Sequence, residues 1–156
     1  MNAENSSFVP SFVVFHVGTR RAALPRDCVA ELIASPVLFS FPHTTPLITG
    51  VALRRGRILP VLDLGPGMLG EASPAARFFL VVERRMAGGS ERCAIPVQGE
   101  CELLTGILLA AVAREDFVAG CLDLDGEVIE VLDLEKAIAA GVKREEEPAS
   151  AAEALP

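Results

Sequence analysis

Residues 50–64 read GVALRRGRILPVLDL and residues 120–134 read GCLDLDGEVIEVLDL. Both open on a glycine (Gly50, Gly120) and have a second one at the same step (Gly56, Gly126). Both end in Val-Leu-Asp-Leu, and the offset is 70 residues throughout, about half of the 156-residue chain. In each copy the inner glycine falls where one apolar run must reverse into the next, the pattern of a β-hairpin. A chain built twice from such a unit folds as two related β-structures packed together.

The rest of the chain agrees. Residues 8–17 are rich in Phe and Val and read as a strand, closed by the Gly18-Thr19-Arg20 turn signal. Pro25-Arg26-Asp27 suggests one helical turn. Residues 28–34 fit a helical face or a strand equally well. Residues 35–46 hold three prolines and form an irregular connection, with Phe39 and Phe41 expected to cap the barrel below. Gly65-Pro66-Gly67 should stop regular structure. Strands are expected over residues 76–83, 92–97 and 101–104, with a flexible Gly88-Gly89 loop and Gly99 between the last two. Residues 107–113 read as a buried strand or a short helix. Residues 134–140 read as a helix that Gly141 should stop. Many short strands with frequent turns and little helix make a mostly β chain of barrel class.

With 51% hydrophobic residues and a net charge of −7, a sizeable core is available and a phosphate-binding surface is disfavoured, so no nucleic-acid partner is expected. The longest charge-free run, residues 32–53, carries three prolines and several polar side chains. It does not read as a spanning helix, so no direct membrane insertion is expected. Glu4 and Pro10 interrupt what a signal peptide needs, which favours a soluble, unexported chain. The four cysteines (Cys28, Cys93, Cys101, Cys121) lack metal or redox spacing and read as small buried side chains, consistent with a reducing, cytoplasmic home.

Candidate chemistry is sparse. The chain has no phosphate loop, HExxH or serine-hydrolase signature. His16 sits mid-strand among apolar neighbours, and His43 lies in the Pro-rich connection with no partner in sequence. Asp63 and Asp133 end equivalent strands and would make a double-aspartate hydrolase if brought together. Neither is followed by the Thr or Ser such a site needs, so caps on the following turn or helix are the favoured reading. A small ligand held between two barrels is a third reading, for which the sequence offers no convergent polar set. The hairpin tips differ: Arg54, Arg55 and Arg57 crowd the first, Asp123 and Asp125 the second. An arginine on a tight turn is preorganised for a carboxylate, so the basic tip is the expected recognition point.

Three segments in order resemble the CheW-like family of chemosensory coupling proteins: residues 23–32, residues 50–64, and VAGCLDLDGEVIEVLDLEKAI at 118–138. The resemblance runs from about Phe12 to Ile138. It implies two intertwined SH3-like five-stranded β-barrel subdomains over residues 11–141; the polar N-terminus at 1–10 is expected to be flexible and the charged, then Ala/Pro-rich tail at 142–156 disordered. It also favours a strand for residues 29–34. It implies a non-catalytic adaptor without cofactor or metal. The partners would be a chemoreceptor cytoplasmic signalling domain and the regulatory domain of a CheA-type histidine kinase, in chemotaxis or pilus motility. By position, the binding residues are Arg55, Val29, Glu31, Ile58, Pro60 and Val61, around an apolar groove for a receptor helix; Arg54 joins them from the basic tip. Leu53-Arg54 stands where the family has Asn-Leu, and Gly65-Pro66-Gly67-Met68 where it has a basic, Phe-containing segment. A divergent accessory copy that competes for kinase or receptor is therefore the alternative.

Overall fold

The computed structural model describes residues 9–39, 47–111 and 115–146. The strands are β1 (Ser11–Val17), β2 (Arg20–Pro25), β3 (Val29–Ala34), β4 (Leu38–Phe39), β5 (Ile48–Arg54), β6 (Arg57–Leu62), β7 (Phe78–Met86), β8 (Gly89–Thr105), β9 (Val118–Leu124) and β10 (Glu127–Leu132). A 3-10 turn, Arg26–Cys28, joins β2 to β3. Two helices, α1 (Gly65–Leu69) and α2 (Leu134–Glu146), follow the two hairpins.

The strands form two sheets that exchange an element. One runs β4-β5-β6-β8-β7-β3, the other β8-β1-β2-β10-β9. Strand β8 belongs to both. Its first half pairs with β7 and, in parallel, with β6 (Val61↔Ala94); its second half pairs with β1. The bend lies at Gly99, whose φ of 74° only glycine adopts without cost. Gln98 fixes the bend: its side chain accepts the Gly18 N–H and donates to the Pro74 carbonyl. The hairpin β1-β2 leads through β3 into the first sheet, just as β7-β8 leads through the end of β8 into the second. Each sheet is thus completed by the other half of the chain.

The repeat extends well beyond the hairpins. Burial along β5 matches β9 residue for residue, and β6 matches β10, because equivalent side chains face equivalent cores. Phe39 pairs with Val51, and Leu109 bridges Cys121, at the same 70-residue offset. The Asp63 N–H donates to the Leu47 carbonyl at 2.8 Å, as the Asp133 N–H donates to Phe117. One small core fills each sheet: Ile33, Ala52, Leu59, Val61, Phe79, Val81 and Ala94 in the first, and Phe12, Val14, Ala23, Leu122, Ile129 and Val131 in the second. A larger shared core around Phe15, Leu24, Leu80 and Ile95 lies between them, under α2.

Five expectations are corrected. Gly65-Pro66-Gly67 opens α1, because proline is compatible with a helix's first turn. Gly141 does not stop α2, which runs on to Glu146. A Cβ at Gly141 would lie 2.9 Å from Leu47 Cδ1, so glycine there lets the helix approach the sheet. The residues either side of Gly99 form one continuous strand. Ile107, Leu108 and Leu109 are exposed, contributing only the Leu109 bridge. Phe39 is 47% exposed and does not cap a core, while Phe41 and His43 lie outside the described residues. Of the cysteines, Cys93 is buried and the other three are half-buried. All four are free, and burial pushes the Cys93 thiol up to about 12.

Candidate partner-binding site

The β5-β6 turn places Arg55 (φ 55°) and Gly56 (φ 78°) in the left-handed region, and the β9-β10 turn does the same with Asp125 and Gly126. Both hairpins therefore use a turn whose two central residues have positive φ, matching the strand twist. Aspartate is at home in such a turn. Arginine is not, so Arg55 is presented at the tip against its own backbone preference.

Beside the tip, Arg54 Nη2 lies 2.8 Å from Glu31 Oε1, with a second contact from Nε to Oε2 at 3.4 Å. Glu31 is on β3 and Arg54 on β5, strands that share no ladder. Their ion pair joins the free edge of β3 to the hairpin. The Arg54 hydrogen bond holds the Glu31 carboxyl below the usual carboxylate range. It also offsets the like-charged cross-strand pair Arg54↔Arg57.

Around this bridge lies a cleft of about 590 Å³ lined by Glu31, Arg54, Arg55, Ile58 and Pro60, with Arg57 and Arg92 on its walls. The structure thus brings together five of the seven residues expected from the sequence. Val61 is fully buried in the core of the first sheet and does not line the cleft. Val29 is half-buried against the shared core and does not line the cleft. Arg92 was not among the expected residues. It comes to the site only through the β7-β8 register, which no short motif announces.

The cleft is charged rather than apolar. A larger groove lies at the seam between the sheets: about 870 Å³, with Phe12, Pro25, Leu108, Val131 and Leu134 as its apolar stretch and Asp27, Arg84, Arg85 and Glu135 among the charged residues on its walls. The groove expected beside Ile58, Pro60 and Val61 is corrected accordingly.

The duplicated aspartates are engaged separately. Asp63, 5% exposed, accepts the Gly65 N–H at 2.8 Å and the Ser73 N–H at 3.0 Å. Asp133 accepts the Lys136 N–H at 3.1 Å, capping α2. Among the described residues, no cluster of His, Cys, Asp and Glu could hold a metal ion, and no helix is long and apolar enough to cross a membrane.

Residues 11–142 match the family model described as the CheW-like domain. A stretch of 53 residues, 34% of this chain, is 42% identical to protein FrzA of Myxococcus xanthus; the match spans only 33% of that protein. The fold is similar to the crystal structure of scaffolding protein TtCheW from Thermoanaerobacter tengcongensis. The TM-score is 0.67 at 21% identity, over 81% of this chain and 86% of that one. With the family model covering most of the chain, the chain belongs to the CheW-like domain family.

Proposed function

We propose that the protein is a non-catalytic adaptor on the cytoplasmic side of a chemosensory system. It couples the signalling domain of a chemoreceptor to the regulatory domain of a CheA-type histidine kinase, in chemotaxis or a related pilus-motility pathway. The observation that carries this reading is the cleft that gathers Arg54, Arg55, Ile58 and Pro60 of the β5-β6 hairpin with Glu31 of β3, a strand that does not pair with either. A recognition arginine held in an unfavourable backbone conformation at its rim fits a binding surface better than a purely structural turn. The seam groove adds a second, larger surface, whose apolar stretch suits the apolar stripe of a partner helix and whose charged walls suit the polar residues beside it. Two surfaces of different chemistry on one rigid scaffold are what coupling two partners requires.

The test is a binding assay with a receptor signalling domain and a kinase regulatory domain. Binding of each at roughly tens of micromolar or tighter is expected. Arg55→Glu should weaken one of the two while leaving thermal stability intact. If neither partner binds at that level, the adaptor reading fails.

A further inference from the structure

The two halves carry the same three-residue arrangement with one substitution, and the difference points to what the first half binds. In the second sheet, Arg21 sits between Glu102 and Glu127, with Nη2 2.9 Å from Glu102 and Nη1 2.6 Å from Glu127. The equivalent places in the first sheet are Arg92, Glu31 and Arg57. Glu31 pairs with Val81 as Glu102 pairs with Val14. Arg92 precedes Ala94, the parallel partner of Val61, by the same step as Arg21 precedes Ala23, the parallel partner of Val131. Arg57 opens β6 as Glu127 opens β10.

In the first sheet the set is open. Arginine stands where the second carboxylate should be, and Glu31 has turned to Arg54, whose counterpart in the second half is Leu124. Of the other carboxylates of the cleft, Glu91 pairs with Arg84 at 3.4 Å, while Glu83, opposite Arg92 in the β7-β8 ladder, accepts the Ser90 hydroxyl at 2.8 Å and makes no ion pair with that arginine. Arg55, Arg57 and Arg92 are exposed, and among the described residues none has an ion-pair partner. Next to them Ile58, 68% exposed, faces Leu53 across the hairpin.

We infer that Arg57 and Arg92 receive a carboxylate from a partner protein, in the place that Glu127 fills internally in the second half, while an aliphatic side chain of the same segment covers Ile58 and Leu53. The ligand is an acidic, aliphatic protein segment. A polyphosphate chain suits the cleft less well, because it has no aliphatic group to cover the exposed Ile58 and Leu53. That the partner is a protein rests on the adaptor reading; the carboxylate chemistry rests on the two arrangements compared above.

The probe is a labelled amphipathic peptide of Glu and Leu, with a twin carrying Lys for every Glu, followed by fluorescence anisotropy on the full chain. The acidic peptide is expected to bind and the basic twin not. Binding should fall steeply towards ~1 M salt, where the screening length is about 3 Å. Arg57→Glu should close the set onto Arg92 and weaken the acidic peptide by about tenfold or more, without lowering the melting temperature. Arg57→Lys should retain most of the binding, and Arg26→Glu, on the 3-10 turn, should change nothing. Equal binding of both peptides, or an acidic peptide indifferent to salt and to Arg57→Glu, overturns the inference. If the receptor and kinase domains bind while the acidic peptide does not, the inference falls and the adaptor stands. If the peptide binds as described while neither domain does, the cleft chemistry stands and the adaptor reading falls.

Discussion

Arg20 and Glu130 lie 110 residues apart in sequence and 2.8 Å apart in space, Nη2 to Oε1. The same guanidinium donates to Glu115 and, at 2.9 Å, to the Met68 carbonyl at the end of α1. It also lies 5.4 Å from the centre of the Phe117 ring. One side chain on β2 therefore ties together β10, α1 and the segment that enters β9.

Replacing Arg20 by Ala removes all four contacts and leaves the Met68 carbonyl and two carboxylates without their donor. The carboxylates keep partial access to water, so the loss is expected at about 1–2 kcal/mol rather than that of a dry ion pair. Denaturant unfolding monitored by circular dichroism measures it. Arg21→Ala is the comparison: it breaks two ion pairs with well-exposed carboxylates and should shift the midpoint much less.

Glu31 gives a pH prediction with a definite sign. Its carboxyl is held below the ordinary range by Arg54, so the charged form is favoured more in the folded state than in the unfolded one. The pair's contribution to stability is fully present above the ordinary glutamate value of about 4.3 and is lost as pH falls through the lower folded value. Carboxyl NMR of the folded protein should place the Glu31 midpoint below that of free glutamate, and Arg54→Ala should move it upward. A midpoint unchanged by Arg54→Ala would remove the ion pair from the site.

Arg55 and Asp125 share a turn but not a backbone preference. With φ at 55°, Arg55→Asn places a residue that tolerates the left-handed region where one that does not now stands, and should stabilise the chain by about 0.5–1 kcal/mol. Thermal unfolding reads the gain. The same variant should weaken partner binding, because the guanidinium at the tip is gone. A gain in stability with a loss of binding marks the residue as functional; no change in either marks it as ordinary loop.

The repeat was legible in the sequence where side chains alternate and turns are short. The two hairpins announce themselves through Gly56 and Gly126, and the structure gives them matching burial. What stayed hidden depends on contacts between distant segments. The leading glycines read only as hairpin starts, yet a Cβ at Gly120 would fall 2.6 Å from the Leu109 carbonyl oxygen, and one at Gly50 3.0 Å from that of Phe39. They are glycines because a short edge segment crosses them closely. Gly141 is hidden for the same reason, since Leu47 beneath it is 94 residues away in sequence. At the site, the arginine tip was legible because it is local. Arg92 was not, because its place is set by two sheet registers that leave no spacing signal.

The duplicated aspartates offer the sharpest contrast between equal sequence and unequal role. Asp63 is nearly buried and accepts two backbone N–H groups, one on each oxygen. Asp63→Asn turns one acceptor into an amide donor that faces a backbone donor, leaving at least one N–H unsatisfied, at a cost of about 1–3 kcal/mol. Asp133 caps α2 with a single bond from Lys136 and is half-buried. Asparagine caps a helix about as well as aspartate, so Asp133→Asn should be nearly neutral. Unfolding midpoints of the two variants, measured side by side, test the difference. A catalytic pair would show the opposite pattern: both substitutions would abolish an acid-pH peptidase activity while neither needed to change stability. Equal, small stability effects together with loss of such an activity would restore the hydrolase reading.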